Sequence, residues 1–314
     1  MTEVGFEGRV AIITGAGGGL GRTYALEIAR RGGAVVVNDL GSDVAGKNSG
    51  SASMADAVVA EIQGEGGQAI ANYDSVATTE GAEAITDAAI AAFGQVDVLI
   101  NNAGNLRNAP FEDLTVEDRD ALWAVHLAGA FNATQPAYRA MKKQGYGRIV
   151  LTSSPAGLFG NADQSAYAAA KSGLLGLMTA ITVEGAEYGI GCNMLSPTAA
   201  SRMGGKIDPE KMAAMMELIG PFSTAMTPEF VTPMVVYLAS EACSARGEIF
   251  AATGGRFARI FVGLADGWMG PRDTPATVEQ IAKNIGKISD TESFVIPKHL
   301  VDEFTRLSAN IKSG

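Results

Sequence analysis

Seven short apolar runs, most of them rich in β-branched residues, punctuate the chain at about residues 9–14, 34–38, 69–72, 96–100, 148–152, 191–195 and 248–253. Stretches with apolar residues at helical spacing separate them, at about 20–31, 54–65, 80–93, 116–143 and 164–188. A strand that is apolar along its whole length has no face to give to water, so both sides of its sheet must be covered. Such strands alternating with helices predict an α/β fold with a doubly wound parallel sheet. Two segments break the rhythm. Residues 40–53 are rich in Gly and Ser and read as a long loop after the second strand. Residues 197–228 show no strand pattern but hold Met203, Met212, Met215 and Met216. Flexible apolar side chains beyond a strand end suit a lid over an apolar substrate, although 212–219 reads equally well as a helix packed on the core.

Thr14-Gly15-Ala16-Gly17-Gly18-Gly19-Leu20-Gly21 joins the first strand to the first helix. Glycines let the backbone turn sharply and approach a pyrophosphate, whose charge then sits at a helix N-terminus. Gly15, Gly19, Leu20 and Gly21 are therefore candidate cofactor contacts. Asp39 follows Gly21 by 18 residues, at the end of the second strand. A carboxylate there accepts hydrogen bonds from both adenosine ribose hydroxyls and repels a 2′-phosphate, which predicts NAD rather than NADP in a Rossmann-like crevice. No arginine or lysine stands beside Asp39 to reverse that preference; Lys47 lies in the loop beyond it. Asp74, after the third strand, is placed for the adenine edge. Asn101-Asn102-Ala103-Gly104 ends the fourth strand. Small residues there let backbone lie along the cofactor, while the asparagines serve equally to satisfy sheet-end amides.

Tyr167 and Lys171 are four apart on a predicted helix and project from one face. A tyrosine normally loses its proton near pH ~10. A nearby ammonium and an oxidised nicotinamide ring both favour the phenolate, so the phenol is expected to titrate lower here. Such a tyrosine takes a proton from an alcohol as hydride leaves, or returns one to a nascent alkoxide. Ser154, 13 residues before Tyr167, ends the fifth strand, where its hydroxyl can hydrogen-bond the reacting oxygen. Ser154, Tyr167 and Lys171 are the candidate catalytic residues, and no metal site is expected.

The glycine turn, Asn102-Ala103-Gly104, Ser154 and Tyr167-Ala168-Ala169-Ala170-Lys171 together resemble the short-chain dehydrogenase/reductase family. Val37-Asn38-Asp39-Leu40-Gly41, Asn72-Tyr73-Asp74-Ser75-Val76, Val125-His126-Leu127 and Ser201-Arg202-Met203 are similar to one branch of it. That branch is the (3R)-hydroxyacyl-CoA dehydrogenase unit of peroxisomal multifunctional enzyme type 2, also known as a 17β-hydroxysteroid dehydrogenase. The likeness runs from about Phe6 into the tail, and the hydratase and sterol-carrier units of that enzyme are absent. The resemblance implies cofactor contacts at Ser75, Val76, Asn102, Ala103, Gly104, Tyr167, Lys171 and Pro197, and an acyl-CoA or steroid-like substrate. Two positions depart from the family. His126 stands where most members carry an asparagine that helps hold a water, and reads as a keeper of that role or as a packed ring. Pro197-Thr198 replaces the usual Pro-Gly after the sixth strand. Arg107, Arg202 and Lys206, in loops beyond strand ends, are candidates for the phosphates of CoA or simply surface charges. The leading reading is an NAD-dependent 3-hydroxyacyl-CoA dehydrogenase. The second is a hydroxysteroid or general carbonyl oxidoreductase acting on free alcohols, and the third a cofactor-binding regulator without catalysis.

The formal net charge of −10 argues against a nucleic-acid partner, which needs a basic face. No apolar run approaches membrane-spanning length and no secretory signal opens the chain, so no membrane partner and a cytoplasmic location are expected. The C-terminal Lys312-Ser313-Gly314 is not a peroxisomal address. Cys192 and Cys243 read as two reduced, buried thiols. The strand–helix pattern is complete by residue 253, which suggests a dehydrogenase domain over 1–263 and a helical extension over 264–314. Thr274 and Pro275 are expected to open one helix, with Val278, Ile281, Ile285 and Ile288 on one face. Pro297 is expected to open another, with Leu300, Phe304, Leu307 and Ile311 on one face. Two such helices cannot bury their stripes on each other alone. The preferred reading is a homodimer or higher homo-oligomer in which the tail walls the partner's substrate cleft; the alternative is that the tail pads its own subunit's core.

Overall fold

Every residue of the first strand, β1 (Val10–Thr14), is buried in the computed structural model, which describes residues 3–43, 45, 53–200 and 217–313. Helix α1 (Gly19–Arg30), β2 (Ala34–Asn38), α2 (Ser53–Gly64), β3 (Gln68–Asn72), α3 (Thr79–Phe93) and β4 (Val98–Asn101) follow. The second half runs through α4 (Val116–Trp123), α5 (Gly129–Gln144), β5 (Gly147–Thr152), α6 (Pro155–Phe159), α7 (Ser165–Gly185) and β6 (Ile190–Thr198). Helix α8 (Thr232–Ala239) leads to β7 (Ile249–Thr253) and β8 (Arg256–Ile260). The sheet order is β3-β2-β1-β4-β5-β6-β7-β8, with β1 to β7 parallel. This is the doubly wound fold that the apolar strands require.

Side chains alternate across the sheet. Ala11, Ile13, Val35, Val37, Ile100 and Val150 join one core with Tyr24 and Ile28 of α1, Ile62 of α2 and Val235 of α8. Ile12, Leu99 and Ile149 point the other way, where α3, α5 and α7 pack. The chain steps outward from β1 to β2 and β3, then returns to lay β4 on the other side of β1. That reversal opens a crevice beyond the carboxyl ends of β1 and β4.

Several elements differ from expectation. The single helix expected over 116–143 is α4 and α5 joined by a π-helical turn, Ala124–Ala128. The sheet does not end at β7. Gly254 and Gly255 both adopt positive φ, 57° and 79°, the backbone of a tight hairpin turn, and β8 follows as an eighth strand. Contrary to the expectation of no apolar run of that length, Ser165–Tyr188 is long and apolar enough to cross a membrane by length and composition. It is α7 with the short 3-10 turn Ala186–Tyr188 that follows it, and Leu174, Leu177 and Met178 of α7 are buried against the sheet.

The chain divides into two compact units, Met1–Arg259 and Ile260–Gly314. In the second, β9 (Leu264–Ala265) pairs antiparallel with β10 (Phe294–Val295), and Phe261 stacks on Phe294 with ring centroids 5.4 Å apart. Helix α9 (Val278–Ile288) starts three residues after Pro275, because Thr277 and Gln280 form a capping box that satisfies its first amides. Helix α10 (Leu300–Ser313) likewise starts after Pro297, where Asp302 accepts from the backbone N–H groups of Lys298 and His299. Val278, Ile281, Ile285, Leu300, Phe304 and Leu307 are exposed. The methionine-bearing segment 201–216, with Arg202 and Lys206, lies outside the described residues, as does Lys47.

Candidate active site

The turn after β1 needs its glycines for identifiable reasons. Gly15 sits at φ 65° and Gly19 at φ 52°. A Cβ on Gly15 would stand 2.8 Å from Ala103 Cα, so only glycine lets the turn pass the end of β4. The N-terminus of α1 has no side-chain cap and no acidic residue in its first turn. Its orphan amides are therefore left for an anion. Gly21 is a correction. A Cβ there would lie 2.3 Å from Gly15 O and 2.6 Å from Asn102 Nδ2, so it serves close packing of helix on turn and does not line the crevice.

The crevice offers about 430 Å³ and is lined by Gly15, Gly19, Leu20, Asp39, Asp74 and Ser75, among others. Val76, Asn102, Ala103 and Gly104 complete its inner end. A separate groove of about 470 Å³ against the outer face of α1 holds none of the site residues. Asp39 is pinned at both oxygens: Oδ2 accepts from Gly17 N and Oδ1 from Gly41 N, each at 2.8 Å. Each oxygen keeps a lone pair for a further donor. Asp74 is held in turn, accepting from Asn72 Nδ2 at 2.7 Å, while Asn38 Nδ2 donates to Asn72 Oδ1 and Asp74 O. Asn102 does satisfy sheet-end groups: its Nδ2 donates to Thr14 O and Gly15 O. Thr14 Oγ1 accepts from the backbone N–H groups of both Asn102 and Ala103, at 3.0 Å each. A cradle of this shape fits a dinucleotide, with a carboxylate at one end and open helix amides in the middle.

Ser154 caps α6, accepting from Ala156 N at 3.2 Å, and its hydroxyl hydrogen-bonds Tyr167. Tyr167 and Lys171 lie one turn apart on α7. Three ties fix that helix. Trp123 Nε1 donates to Ala166 O at 3.0 Å, Ser153 Oγ to Lys171 O at 3.0 Å, and Lys171 Nζ to Thr152 O at 2.6 Å. The ammonium sits 5.8 Å from the Tyr167 ring centroid. Burial pushes Tyr167 up, opposed by the Ser154 hydrogen bond, and burial pulls Lys171 down to about 7. Desolvation disfavours the charged form of each.

The structure brings Ser154, Tyr167 and Lys171 together and places Asp39 and Asp74 apart from them in one crevice. Pro197 ends up in β6, in register with Ala252. Arg107 is not a free surface charge: it lines the crevice and pairs with Asp118 at 2.8 Å. Gly104 also changes meaning. A Cβ there would meet His126 Cε1 at 2.6 Å, so the glycine makes room for the imidazole. Trp123 and Asn38 escaped the sequence reading as site supports, because an indole reaching a carbonyl 43 residues away leaves no local signal.

Residues 9–211 match the short chain dehydrogenase family. The chain belongs to that family and is an oxidoreductase of it. Among relatives it is 44% identical over 286 residues to the peroxisomal multifunctional enzyme type 2 of Mus musculus, covering 91% of this chain and 37% of that protein. It thus spans little more than a third of that relative's length. It is 43% identical over 286 residues to a putative short-chain type dehydrogenase/reductase, Rv0148, of Mycobacterium tuberculosis, covering 91% of this chain and 96% of that one. A solved 7α-hydroxysteroid dehydrogenase, complexed with NADH and 7-oxo glycochenodeoxycholic acid, superposes with a TM-score of 0.71 at 30% identity, covering 81% of this chain and 98% of that one.

Proposed function

We propose that the chain is an NAD-dependent 3-hydroxyacyl-CoA dehydrogenase. The observation that carries the reading is Ser154, Tyr167 and the buried Lys171 set together beside a crevice whose far end holds Asp39. Bound NAD supplies the hydride acceptor. Tyr167, as phenolate, takes the hydroxyl proton, and in the reverse direction the phenol returns it. Ser154 donates to the reacting oxygen as charge develops. Lys171 favours the phenolate and would hold the nicotinamide ribose, while Asp39 would accept from the adenosine ribose hydroxyls and repel a 2′-phosphate. Gly15, Gly19, Leu20, Asp74, Ser75, Val76, Asn102, Ala103, Gly104 and Pro197 would complete the cofactor bed. The thioester substrate is supported by similarity to the multifunctional enzymes. The steroid-bound relative supports the second reading, oxidation of free hydroxysteroids. The two free, buried cysteines support a reducing compartment such as the cytoplasm, although the mouse relative is named peroxisomal.

Steady-state kinetics with matched hydroxyacyl-CoA thioesters and free hydroxysteroids, each with NAD and NADP, tests this directly. NAD should give the higher kcat/KM, and Asp39→Ala should narrow the gap. Thioesters should be the better substrates. Turnover of steroids with none of thioesters hands the function to the second reading.

A further inference from the structure

Beyond Asp39 the chain follows the crevice, with Leu40, Ser42 and Asp43 on its wall. Two side-chain turns shape this segment. Gly41 N donates to Asp39 Oδ1 at 2.8 Å and Ala45 N to Asp43 Oδ1 at 3.0 Å. Each bond spans two residues, so it sets the local bend and not where the segment lies. Position comes from Arg107, in the stretch after β4. Its Nε donates to Ala45 O at 3.0 Å, a partner 62 residues away in the chain. Its Nη1 donates to Asp118 Oδ1 at 2.8 Å. Asp118 stands in the first turn of α4, where its own N–H donates to the Thr115 cap. The far anchor of this tie is therefore a capped helix.

The segment needs such a tie for two reasons. Glycine-rich backbone has much freedom to lose when it is held in one place. Among the described residues lining the crevice, Asp39, Asp43 and Asp74 carry negative charge and Arg107 alone carries positive charge. A pyrophosphate would add further negative charge and push an untied Asp43 outward. The Arg107 side chain is only 13% exposed, so its bonds are partly shielded from competing water. The planar guanidinium offers donors to two partners at once, where an ammonium on a flexible stem is a point charge. We propose that Arg107 is a positioning residue for the cofactor. By bridging Ala45 to α4 it holds the wall from Leu40 to Asp43 closed at the Asp39 end of the crevice. The wall is thereby preorganised before the adenosine arrives, and it slows the departure of the bound dinucleotide.

The inference rests on the dinucleotide reading of the crevice and is tested on binding, without substrate. Arg107→Met keeps an unbranched apolar stem and removes both donors. In the ligand-free variant, the amides of residues 41–43 and Ala45 should exchange faster than in the native chain. NADH should bind about tenfold more weakly, with the loss in faster dissociation by stopped-flow fluorescence. Reduced nicotinamide mononucleotide, which has no adenosine, should bind both proteins alike. In turnover the loss should fall on KM for NAD rather than on kcat. Native exchange over 41–43 and Ala45 overturns the proposal, because any loss of affinity would then be that of a direct ligand contact. Native NADH affinity also overturns it, as does an equal loss for the mononucleotide, which marks general damage. If Arg107→Met fails to fold, Arg107→Lys decides: a loss confined to NADH supports the proposal and native NADH affinity refutes it. Failure of the underlying reading is distinct, because the native protein would then bind NADH no better than the mononucleotide.

Discussion

Lys171 sits where an ammonium is disfavoured. Its side chain is buried on α7, with one backbone carbonyl for a partner, and burial draws it from the ordinary lysine value of 10.5 to about 7. Between those two values the unfolded chain binds a proton that the folded chain does not, so stability rises with pH across that window and the full penalty applies below about 7. Lys171→Met should therefore raise stability at pH 6–7 by about 1–2 kcal/mol in denaturant titrations while removing activity, a familiar trade at active sites. The gain should shrink as the pH approaches 9. Tyr167 shows the opposite direction, pushed up by burial, so in the chain by itself it holds its proton at neutral pH. Tyr167→Phe keeps the ring and loses only the proton carrier. Its kcat should fall ~10²–10⁴-fold, with NADH affinity by fluorescence titration nearly unchanged. Near-native turnover would remove Tyr167 from the mechanism.

Among the elements, helix termini decide what each helix is for. The N-terminus of α1 lacks a side-chain cap, whereas Thr78 caps α3 and Thr115 caps α4 by accepting from Gly81 N and Asp118 N. The uncapped end of α1 lies at the crevice, where a ligand's charge can take the cap's place. In the second unit, α9 has a full capping box, as a short amphipathic helix with an exposed apolar face requires to persist. Thr277→Ala should cost that helix about 1 kcal/mol, seen as faster amide exchange over 278–288 with no change in NADH binding. Unchanged exchange would show that packing, not the cap, holds α9.

At the scale of the whole molecule, the exposed stripe of Val278, Ile281, Ile285, Leu300, Phe304 and Leu307 is the expected tail pattern without a covering surface in its own unit. We retain the proposal that a second copy covers it. A chain ending after Ile260 keeps β8 and the whole crevice. It should bind NADH with native affinity, sediment as a smaller species, and show a raised KM for a long acyl thioester. A truncated protein of unchanged oligomeric state and KM would reduce the tail to packing.

Local chemistry made much of this legible. Strands buried on both faces must be apolar throughout, so β1 to β7 appear as runs in the sequence, and a doubly wound sheet is the architecture that covers them. The glycine turn and Asp39 are legible because they fall at ends of adjacent strands, where the topology brings them to one crevice. Tyr167 and Lys171 are legible because helical spacing alone puts them on one face. Tertiary structure decided what depends on partners distant in sequence. It showed Gly21 to be a packing glycine held against Gly15 O, and Gly104 to line the crevice while also making room for His126 Cε1. It added β8 through the Gly254–Gly255 turn and broke the fourth helical stretch at a π turn. It also set the desolvation of Tyr167 and Lys171, which depends on everything packed around a group, a sum that no stretch of sequence carries.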